Sequence, residues 1–367
     1  MKRIMNVLKI LMCLFCANMF LAVNAQDAKP LRLGVAGVTH GHLHEVFIRM
    51  DRGDFEVVGV AEPNEKYRLS NSLRKKLDAS LFYADLEEML DKTKPEAVVA
   101  YGSIYEHLAV VEACAPRGIH VMVEKPLAVS TEHANRMAEL ARKHNILLLT
   151  NYETTWYNTN REAYRLVNEE QAIGPVHRME IYDGHQGPFE IRCGKEFTDW
   201  LTDPVLNGGG AVIDFGCYGA NLATWLLKGE KPISVYAVLK QIKPDKYPKV
   251  DDDATILVEY PSVTVQIMGS WCWPVGRKDM HIYGRTGYVY QDTPTSMRVN
   301  IKQKESVVQP PKLEAPYNDS FYYLKAAVRG EIELKPYDLS ALENNLMVVR
   351  ILESAIQSSK TGKPVLW

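Results

Sequence analysis

Apolar, strand-like runs alternate with amphipathic helical segments between residues 31 and 149. Helical spacing marks 42–52, 106–115 and 132–143, and the apolar runs occupy 31–37, 55–61, 97–101, 120–123 and 146–149. Continuous apolar strands separated by amphipathic helices are typical of a buried parallel sheet with helices on both faces. The pattern therefore predicts a doubly wound α/β domain of the Rossmann type over residues 26–150. Such a sheet binds its ligand at the carboxyl ends of the strands.

After residue 150 the pattern changes to short strands of alternating polarity, at 176–182, 233–239, 255–260, 263–268, 280–283 and 288–290. They predict a second, α+β domain over residues 151–367, with a large, open, mostly antiparallel sheet. Apolar residues at helical spacing predict a closing helix near 338–358. The long segment 183–207 is rich in glycine and is typical of a pocket-lining loop.

The N-terminus has the layout of a secretory signal. A basic pair precedes an apolar stretch that ends at residue 23, followed by small residues. We expect residues 1–25 to be a cleaved signal peptide, leaving an exported, periplasmic protein without a membrane span. Cys13 and Cys16 leave a lipid-anchored form open, although neither follows a small residue. An uncleaved anchor helix is the other alternative.

Charge is nearly balanced, with 43 Lys and Arg against 45 Asp and Glu. Nucleic-acid binders concentrate positive charge, so the evenly mixed signs argue against that class. We expect a small-molecule partner instead.

The first strand ends in the turn Gly-Val-Thr-His-Gly-His at residues 37–42. A dinucleotide pyrophosphate would lie here, because a glycine lets the backbone approach it and a helix N-terminus supplies N–H groups. Only Gly37 of the G-x-G-x-x-G fingerprint is present, and Thr39 and His42 replace the other two glycines. We expect these three residues and His40 to contact bound NAD.

Glu62 ends the second strand, where a carboxylate can bind a ribose diol. It would repel the 2′-phosphate of NADP, so NAD is expected rather than NADP. An exposed turn glutamate is the alternative. His40 and His44 have a spacing that can hold a metal on a helix, but no acidic constellation of known metal spacing accompanies them, so no metal is predicted.

Glu124 and Lys125 stand at the carboxyl end of a strand and precede Pro126, which restricts Lys125 to extended geometry. An ammonium there can bind a substrate hydroxyl and favour its deprotonation during hydride removal. We therefore expect Lys125 to be catalytic and Glu124 to border the cofactor. A solvated lysine at a strand end is the alternative.

The Glu-Lys-Pro motif at 124–126 is accompanied by Tyr-Ala-Asp-Leu-Glu-Glu from residue 83, Gly-Gly-Gly-Ala-Val-Ile-Asp at 208–214 and Asp-Asp-Ala-Thr-Ile from residue 252. In this order the motifs resemble those of the glucose–fructose oxidoreductase and inositol dehydrogenase (Gfo/Idh/MocA) family. The resemblance implies that Lys125 lies between nicotinamide and substrate. It also implies a homodimer or homotetramer, because the family often uses its open sheet for dimer contacts.

Asp214 and Tyr218 would lie one turn apart on one face if this segment is helical, with Asn221 beside them. A tyrosine has an ordinary pKa near 10, and a nearby ammonium such as Lys125 would lower it. We therefore expect Tyr218 to be a general acid/base and Asp214 to orient the lysine or a substrate hydroxyl. Many family members carry histidine and aspartate where Tyr218 and Asn221 stand.

The predicted function is hydride transfer between NAD and a secondary hydroxyl of a sugar, polyol or glycoside. Tyr152 is expected to border the nicotinamide, and His185, Trp200 and Asn221 to contact substrate. Free NAD is scarce outside the inner membrane, so we expect a tightly bound cofactor. The alternatives are redox-neutral glycoside cleavage through a keto-glycoside and a non-catalytic, secreted sugar-binding protein. A metal-dependent lyase built on the histidines comes last.

Overall fold

The computed structural model describes residues 29–367. The predicted signal peptide and the two cysteines of its apolar run lie outside the described residues. In the described part of the chain, no helix combines the length and the apolar character needed to cross a bilayer.

Six parallel strands form the first sheet, in the order β3-β2-β1-β4-β5-β6. The strands are β1 (Leu31–Ala36), β2 (Phe55–Ala61), β3 (Phe82–Tyr83), β4 (Ala97–Ala100), β5 (His120–Glu124) and β6 (Leu148–Asn151). The helices that connect them are α1 (Leu43–Arg49), α2 (Glu65–Ser70), α3 (Leu86–Thr93), α4 (His107–Cys114) and α5 (Thr131–His144). The predicted doubly wound sheet is confirmed. Side chains of its strands contribute to two separate apolar clusters, one on each face, because helices cover both faces of the sheet.

Nine strands form the second sheet, in the order β14-β13-β12-β11-β7-β10-β9-β8-β15. They are β7 (Val176–Gly184), β8 (Ser234–Lys240), β9 (Asp253–Glu259), β10 (Thr264–Ser270), β11 (Arg277–Gly284), β12 (Gly287–Gln291), β13 (Met297–Ile301), β14 (Lys304–Val308) and β15 (Val365–Leu366). The pairing is antiparallel except between β7 and β10, so the predicted mostly antiparallel sheet is confirmed. The last three strands were not predicted. Every residue of β14 but the last is exposed, so its sequence carries no alternation of polarity.

The remaining helices are α6 (Asn158–Tyr164), α7 (Lys195–Leu201), α8 (Ala211–Asp214), α9 (Gly216–Leu226), α10 (Ser320–Arg329) and α11 (Leu342–Thr361). Short 3-10 turns occur at Met50–Arg52, Ser72–Lys75, Ala79–Leu81, Ile104–Glu106, Ala115–Arg117 and Glu153–Trp156, and a π-helical turn at Arg165–Glu169. Helix α9 is buried along its whole length, and its Gly219 packs on Ile267 of β10. This packing seats α9 on β10 and β7 of the second sheet.

The closing helix begins at Leu342, four residues later than predicted. The carbonyl oxygen of Leu339 accepts hydrogen bonds from the side chains of Asn221 (2.7 Å) and Asn345 (3.2 Å). These hydrogen bonds hold residue 339 in the loop that precedes the helix.

Helix α10 lies late in the chain but packs on the first sheet, where Phe321 stacks on Phe55 with ring centroids 4.7 Å apart. The C-terminal part of the chain therefore contributes to the core of both sheets.

Candidate active site

A crevice opens at the carboxyl ends of the first sheet. It contains two adjoining cavities of about 610 and 560 Å³. Five residues line both cavities, namely His40, Gly41, Ile191, Cys193 and Phe197. The cavities therefore form one continuous groove, in the position where a doubly wound sheet binds its ligand.

Lys125, directly after β5, forms a buried ion pair with Asp214 at the end of α8. Its ammonium donates to the Asp214 carboxylate and, at 2.9 Å, to the Asp214 carbonyl oxygen. The indole Nε1 of Trp271 donates to the other carboxylate oxygen at 2.8 Å. Both members of the pair line the larger cavity.

The pair is charged at neutral pH. Burial alone would raise the pKa of Asp214, but the Lys125 ammonium outweighs it and lowers the pKa to about 2. Burial would lower the pKa of Lys125, and the Asp214 charge more than reverses this. Lys125 is therefore a fixed cation and hydrogen-bond donor rather than a free base.

Tyr218 also lines the larger cavity, although not in the way predicted. The expected continuous helix is broken at Phe215, so Asp214 ends α8 while Tyr218 lies in α9. The hydroxyl of Tyr218 makes no hydrogen bond to any described residue, and Lys125 Nζ lies 5.1 Å from its ring centroid.

Burial raises the pKa of Tyr218 well above its usual value. The prediction that Lys125 lowers this pKa was wrong, because burial of the phenol and the nearby carboxyl groups of Glu153 and Asp183 all raise it. Tyr218 is a phenol at neutral pH and can donate a proton or a hydrogen bond.

Lys278 and Glu153 belong to the same cavity and were not predicted. Lys278 Nζ lies 2.6 Å from a carboxylate oxygen of Glu153 and 4.2 Å from the ring centroid of Tyr218. The predicted strand began only at residue 280, whereas β11 starts at Arg277. No local motif marks either residue, since they are 125 residues apart in the chain and meet only through tertiary packing.

Asp183, at the end of β7, is a further buried carboxyl near Tyr218 that was not predicted. It is 1% exposed, and its Oδ1 has no hydrogen-bond partner among the described residues. Burial raises the pKa of Asp183 well above its usual value.

His185 lines the larger cavity, as predicted for a substrate contact. Its Nδ1 accepts the N–H of Gly187 at 2.9 Å, and its ring meets Phe215 edge-on. Burial lowers its pKa, so the imidazole is neutral at neutral pH, with its proton on Nε2.

The turn after β1 uses most of its N–H groups internally. Thr39 and His40 both donate to the carbonyl oxygen of Tyr101, at 3.0 and 2.8 Å. The N–H of Gly41 finds no acceptor among the described residues. Gly37 has a φ of 79°, and a Cβ there would lie 2.5 Å from the backbone nitrogen of Gly102. The close packing of these two loops therefore requires a glycine at this position, independently of any bound ligand.

The Glu62 carboxylate is buried and closes the same turn. Its oxygens accept the N–H groups of Val38 (3.1 Å) and Asn64 (2.8 Å). An ionised carboxylate has about four acceptor positions, so two remain for a ribose diol. The alternative of an exposed turn glutamate was wrong.

His42 Nδ1 lies 2.9 Å from Glu124, whose other oxygen accepts from Asn151 at 2.8 Å. Burial alone would raise the pKa of Glu124 and lower that of His42. The attraction between the two side chains outweighs burial, so the pKa of Glu124 falls to about 2 and that of His42 rises. The pair is therefore an ionic hydrogen bond when His42 is protonated.

The ligand atoms of His40, His42 and Glu124 lie within 4.8 Å of one another, which is close enough to consider a metal ion. His40 Nδ1 accepts the backbone N–H of His42 at 3.1 Å. The neutral ring must then carry its proton on Nε2, which leaves no free ligand atom on His40. We therefore assign this group as hydrogen bonded and propose no metal. His44, whose spacing from His40 could have suited a metal, bonds the carbonyl oxygen of Gly41.

Three predicted contacts lie outside the crevice. Tyr152 is fully buried and donates to Asn345 at 2.9 Å, so it supports the Tyr218 ring from behind rather than bordering a nicotinamide. Trp200 packs behind His40 and lines neither cavity. Asn221 is fully buried and holds the loop before α11. The prediction for Tyr152 followed from a strand end, that for Trp200 from a loop and that for Asn221 from helical spacing. None of these local features determines which side chains tertiary packing buries.

The residues of the crevice fit a dinucleotide. The groove comprises two cavities. Glu62 lies directly behind Val38, which lines the smaller cavity, and Lys125 and Tyr218 offer donors in the larger one. A doubly wound sheet with this arrangement defines the class of two-domain, nicotinamide-dependent oxidoreductases.

Comparison with protein families agrees. Residues 31–152 match the oxidoreductase family, NAD-binding Rossmann fold, and residues 161–290 match the GFO/IDH/MocA C-terminal domain. Together the two matches cover more than half of the chain, which belongs to the Gfo/Idh/MocA family. It is an NAD(P)-dependent oxidoreductase acting on CH–OH groups.

The relatives have low sequence identity to this chain, but the matches extend over most of its length. Trans-1,2-dihydrobenzene-1,2-diol dehydrogenase of Xenopus laevis is 26% identical over 294 residues, 75% of this chain and 82% of the relative. Myo-inositol 2-dehydrogenase of Thermotoga maritima is 23% identical, covering 71% of this chain and 75% of that protein. The structure of aldose-aldose oxidoreductase from Caulobacter crescentus superposes with a TM-score of 0.78 at 21% identity, covering 92% of this chain and 100% of that one. This last likeness is one of fold.

Proposed function

We propose that this protein transfers hydride between tightly bound NAD and a secondary hydroxyl of a sugar, polyol or glycoside. The observation that carries the proposal is the buried Lys125–Asp214 pair, which faces the same cavity as Tyr218. The relatives named for dihydrodiol and myo-inositol oxidation support a substrate with adjacent hydroxyls.

Lys125 and Tyr218 both act as hydrogen-bond donors in this arrangement. Donors aimed at a substrate oxygen stabilise the negative charge that develops there when hydride leaves or arrives at the carbon. In the reducing direction, Tyr218 supplies the proton to the oxygen, and solvent then reprotonates the phenolate. The oxidising direction is the same step in reverse, so it requires the Tyr218 phenolate as the proton acceptor. Asp214 keeps Lys125 protonated and fixes its position. Bound NAD supplies the nicotinamide ring that accepts or gives the hydride.

Cofactor choice would rest on Glu62. Its two remaining acceptor positions suit a ribose diol, and its charge would disfavour the 2′-phosphate of NADP. Export to the periplasm and a homodimer or homotetramer built on the open sheet remain part of the proposal.

The first test is mass spectrometry of small molecules released on denaturing protein purified from its native compartment. Near-stoichiometric NAD(H) supports the retained cofactor. The loaded protein is then mixed with sugars and polyols, and with their keto derivatives, while nicotinamide absorbance is followed. A change in absorbance that depends on a sugar or its keto derivative supports hydride transfer. Release of an aglycone without net NADH would contradict net hydride transfer and support redox-neutral glycoside cleavage. Absence of nucleotide binding would support a non-catalytic sugar-binding protein instead.

A further inference from the structure

Residues 187–197, which we call the strap, cross the crevice from the second sheet to the turn after β1. Ile191, Cys193 and Phe197 of the strap line both cavities. The ring of Phe197 lies 5.0 Å from that of His40, and a Cβ on Gly41 would be 3.7 Å from it. The strap therefore covers the waist of the groove, where the two cavities meet.

The strap is firmly held at its base. The Glu190 carboxylate accepts hydrogen bonds from Lys243 (2.6 Å), Lys246 (3.0 Å) and the Tyr247 hydroxyl (2.5 Å). Phe189 stacks on the Tyr247 ring with centroids 5.2 Å apart. Since three side chains fix two consecutive strap residues, the strap is a built part of the groove rather than a loose loop.

Arg192 stands at the tip of the strap and lines the smaller cavity. Its guanidinium makes no ion pair or hydrogen bond with any described residue. Lys195, the other cation of the strap, is paired with Asp199. Arg192 is thus the strap cation that is available to a ligand, and a guanidinium can bind phosphate oxygens in two-pronged fashion.

The turn opposite the strap is poor in donors for a pyrophosphate. The N–H groups of Val38, Thr39, His40 and His42 are all used within the protein, which leaves that of Gly41. A dinucleotide lying along both cavities would place its centre at the waist, between this turn and the strap.

We propose that the strap retains the dinucleotide in the groove, with Arg192 donating to its pyrophosphate in place of the missing backbone donors. The inference deepens the retained-cofactor part of the proposed function and rests on it, but not on which sugar is used.

Calorimetry of the nucleotide-free full chain with NAD⁺ tests the arginine. Arg192→Gln should raise the Kd for NAD⁺ about 10- to 100-fold, since a charged hydrogen bond is lost, while adenosine, which has no phosphate, binds unchanged. Lys195→Gln is the comparison variant on the same strap. Lys195 lines the same cavity, but its ammonium is already paired with Asp199, so Kd should change less than about 3-fold. If both variants raised the Kd equally, the strap cations would attract NAD⁺ only at long range. That result would overturn the proposed contact between Arg192 and the pyrophosphate.

Release of NADH, followed by the loss of its fluorescence when excess NAD⁺ is added, tests the strap itself. Tyr247→Phe removes one anchor of Glu190 and should speed release about 10-fold. An unchanged release rate would overturn retention by the strap. Neither experiment needs a sugar, so failure to find a substrate would count against the proposed function and leave both binding results standing.

Discussion

The ammonium of Lys278 lies 4.2 Å from the ring centroid of Tyr218 and 2.6 Å from the Glu153 carboxylate. Lys125 approaches the same ring at 5.1 Å. Two ammonium groups therefore flank one buried phenol, and each is paired with its own carboxylate. The arrangement surrounds the substrate oxygen's expected position with donors while keeping the local charge balanced.

Replacing Tyr218 by Phe should lower turnover about 100-fold or more, because a positioned acid is removed. Stability should change little, since the hydroxyl has no partner among the described residues. Steady-state kinetics and urea unfolding of the same preparation measure both effects. Turnover within a factor of two of wild type would remove Tyr218 from the mechanism.

Replacing Lys125 alone should damage both turnover and stability. Lys125→Met leaves Asp214 buried without its counter-ion, and breaking a buried pair costs about 3–5 kcal/mol. The double variant Lys125→Met with Asp214→Asn removes both charges and should recover most of that stability, yet remain inactive. If the double variant regained turnover together with stability, the loss in the single variant would be a folding defect rather than a catalytic one.

The His42–Glu124 pair should stabilise the fold only within a pH window. The raised folded pKa of His42 gives a contribution present below its ordinary value near 6.5 and lost as pH rises through the folded value. The lowered pKa of Glu124, about 2, gives a contribution present above its ordinary value near 4.3 and lost as pH falls.

His42→Gln should therefore cost about 1–3 kcal/mol of unfolding free energy near pH 5.5 and distinctly less at pH 9. Urea unfolding at the two pH values measures this difference. His44→Gln is the matched control, because that histidine bonds only a backbone carbonyl. A cost for His42→Gln that does not vary with pH would exclude an ionic pair.

Glu62 should influence both the turn and the choice of cofactor. Val38 and Asn64 donate to different oxygens of Glu62, so Glu62→Gln keeps an acceptor for one of these N–H groups. Glu62→Ala leaves both unpaired at a cost of about 1–3 kcal/mol each. Both variants should weaken NAD about 10-fold relative to NADP, because the charge that disfavours a 2′-phosphate is gone. Titration with each cofactor gives the ratio. Equal losses for NAD and NADP would show that Glu62 serves the turn alone.

Sequence determined the order of elements and the position of the lysine. Strand and helix periodicity reports which face of each segment is apolar, so the parallel sheet and most strands of the second sheet could be predicted from neighbours in the chain. Lys125 followed from a strand end and a proline, and the family motifs placed Asp214 with it.

Tertiary structure decided which side chains face the crevice and in which protonation state. Lys278, Glu153 and Asp183 come to Tyr218 from separate elements, while Asn221 and Tyr152 are turned away to bond the loop and helix at the C-terminus. A side chain's partners and burial depend on segments far apart in sequence. The raised pKa of Tyr218 follows from such burial, which local spacing does not encode.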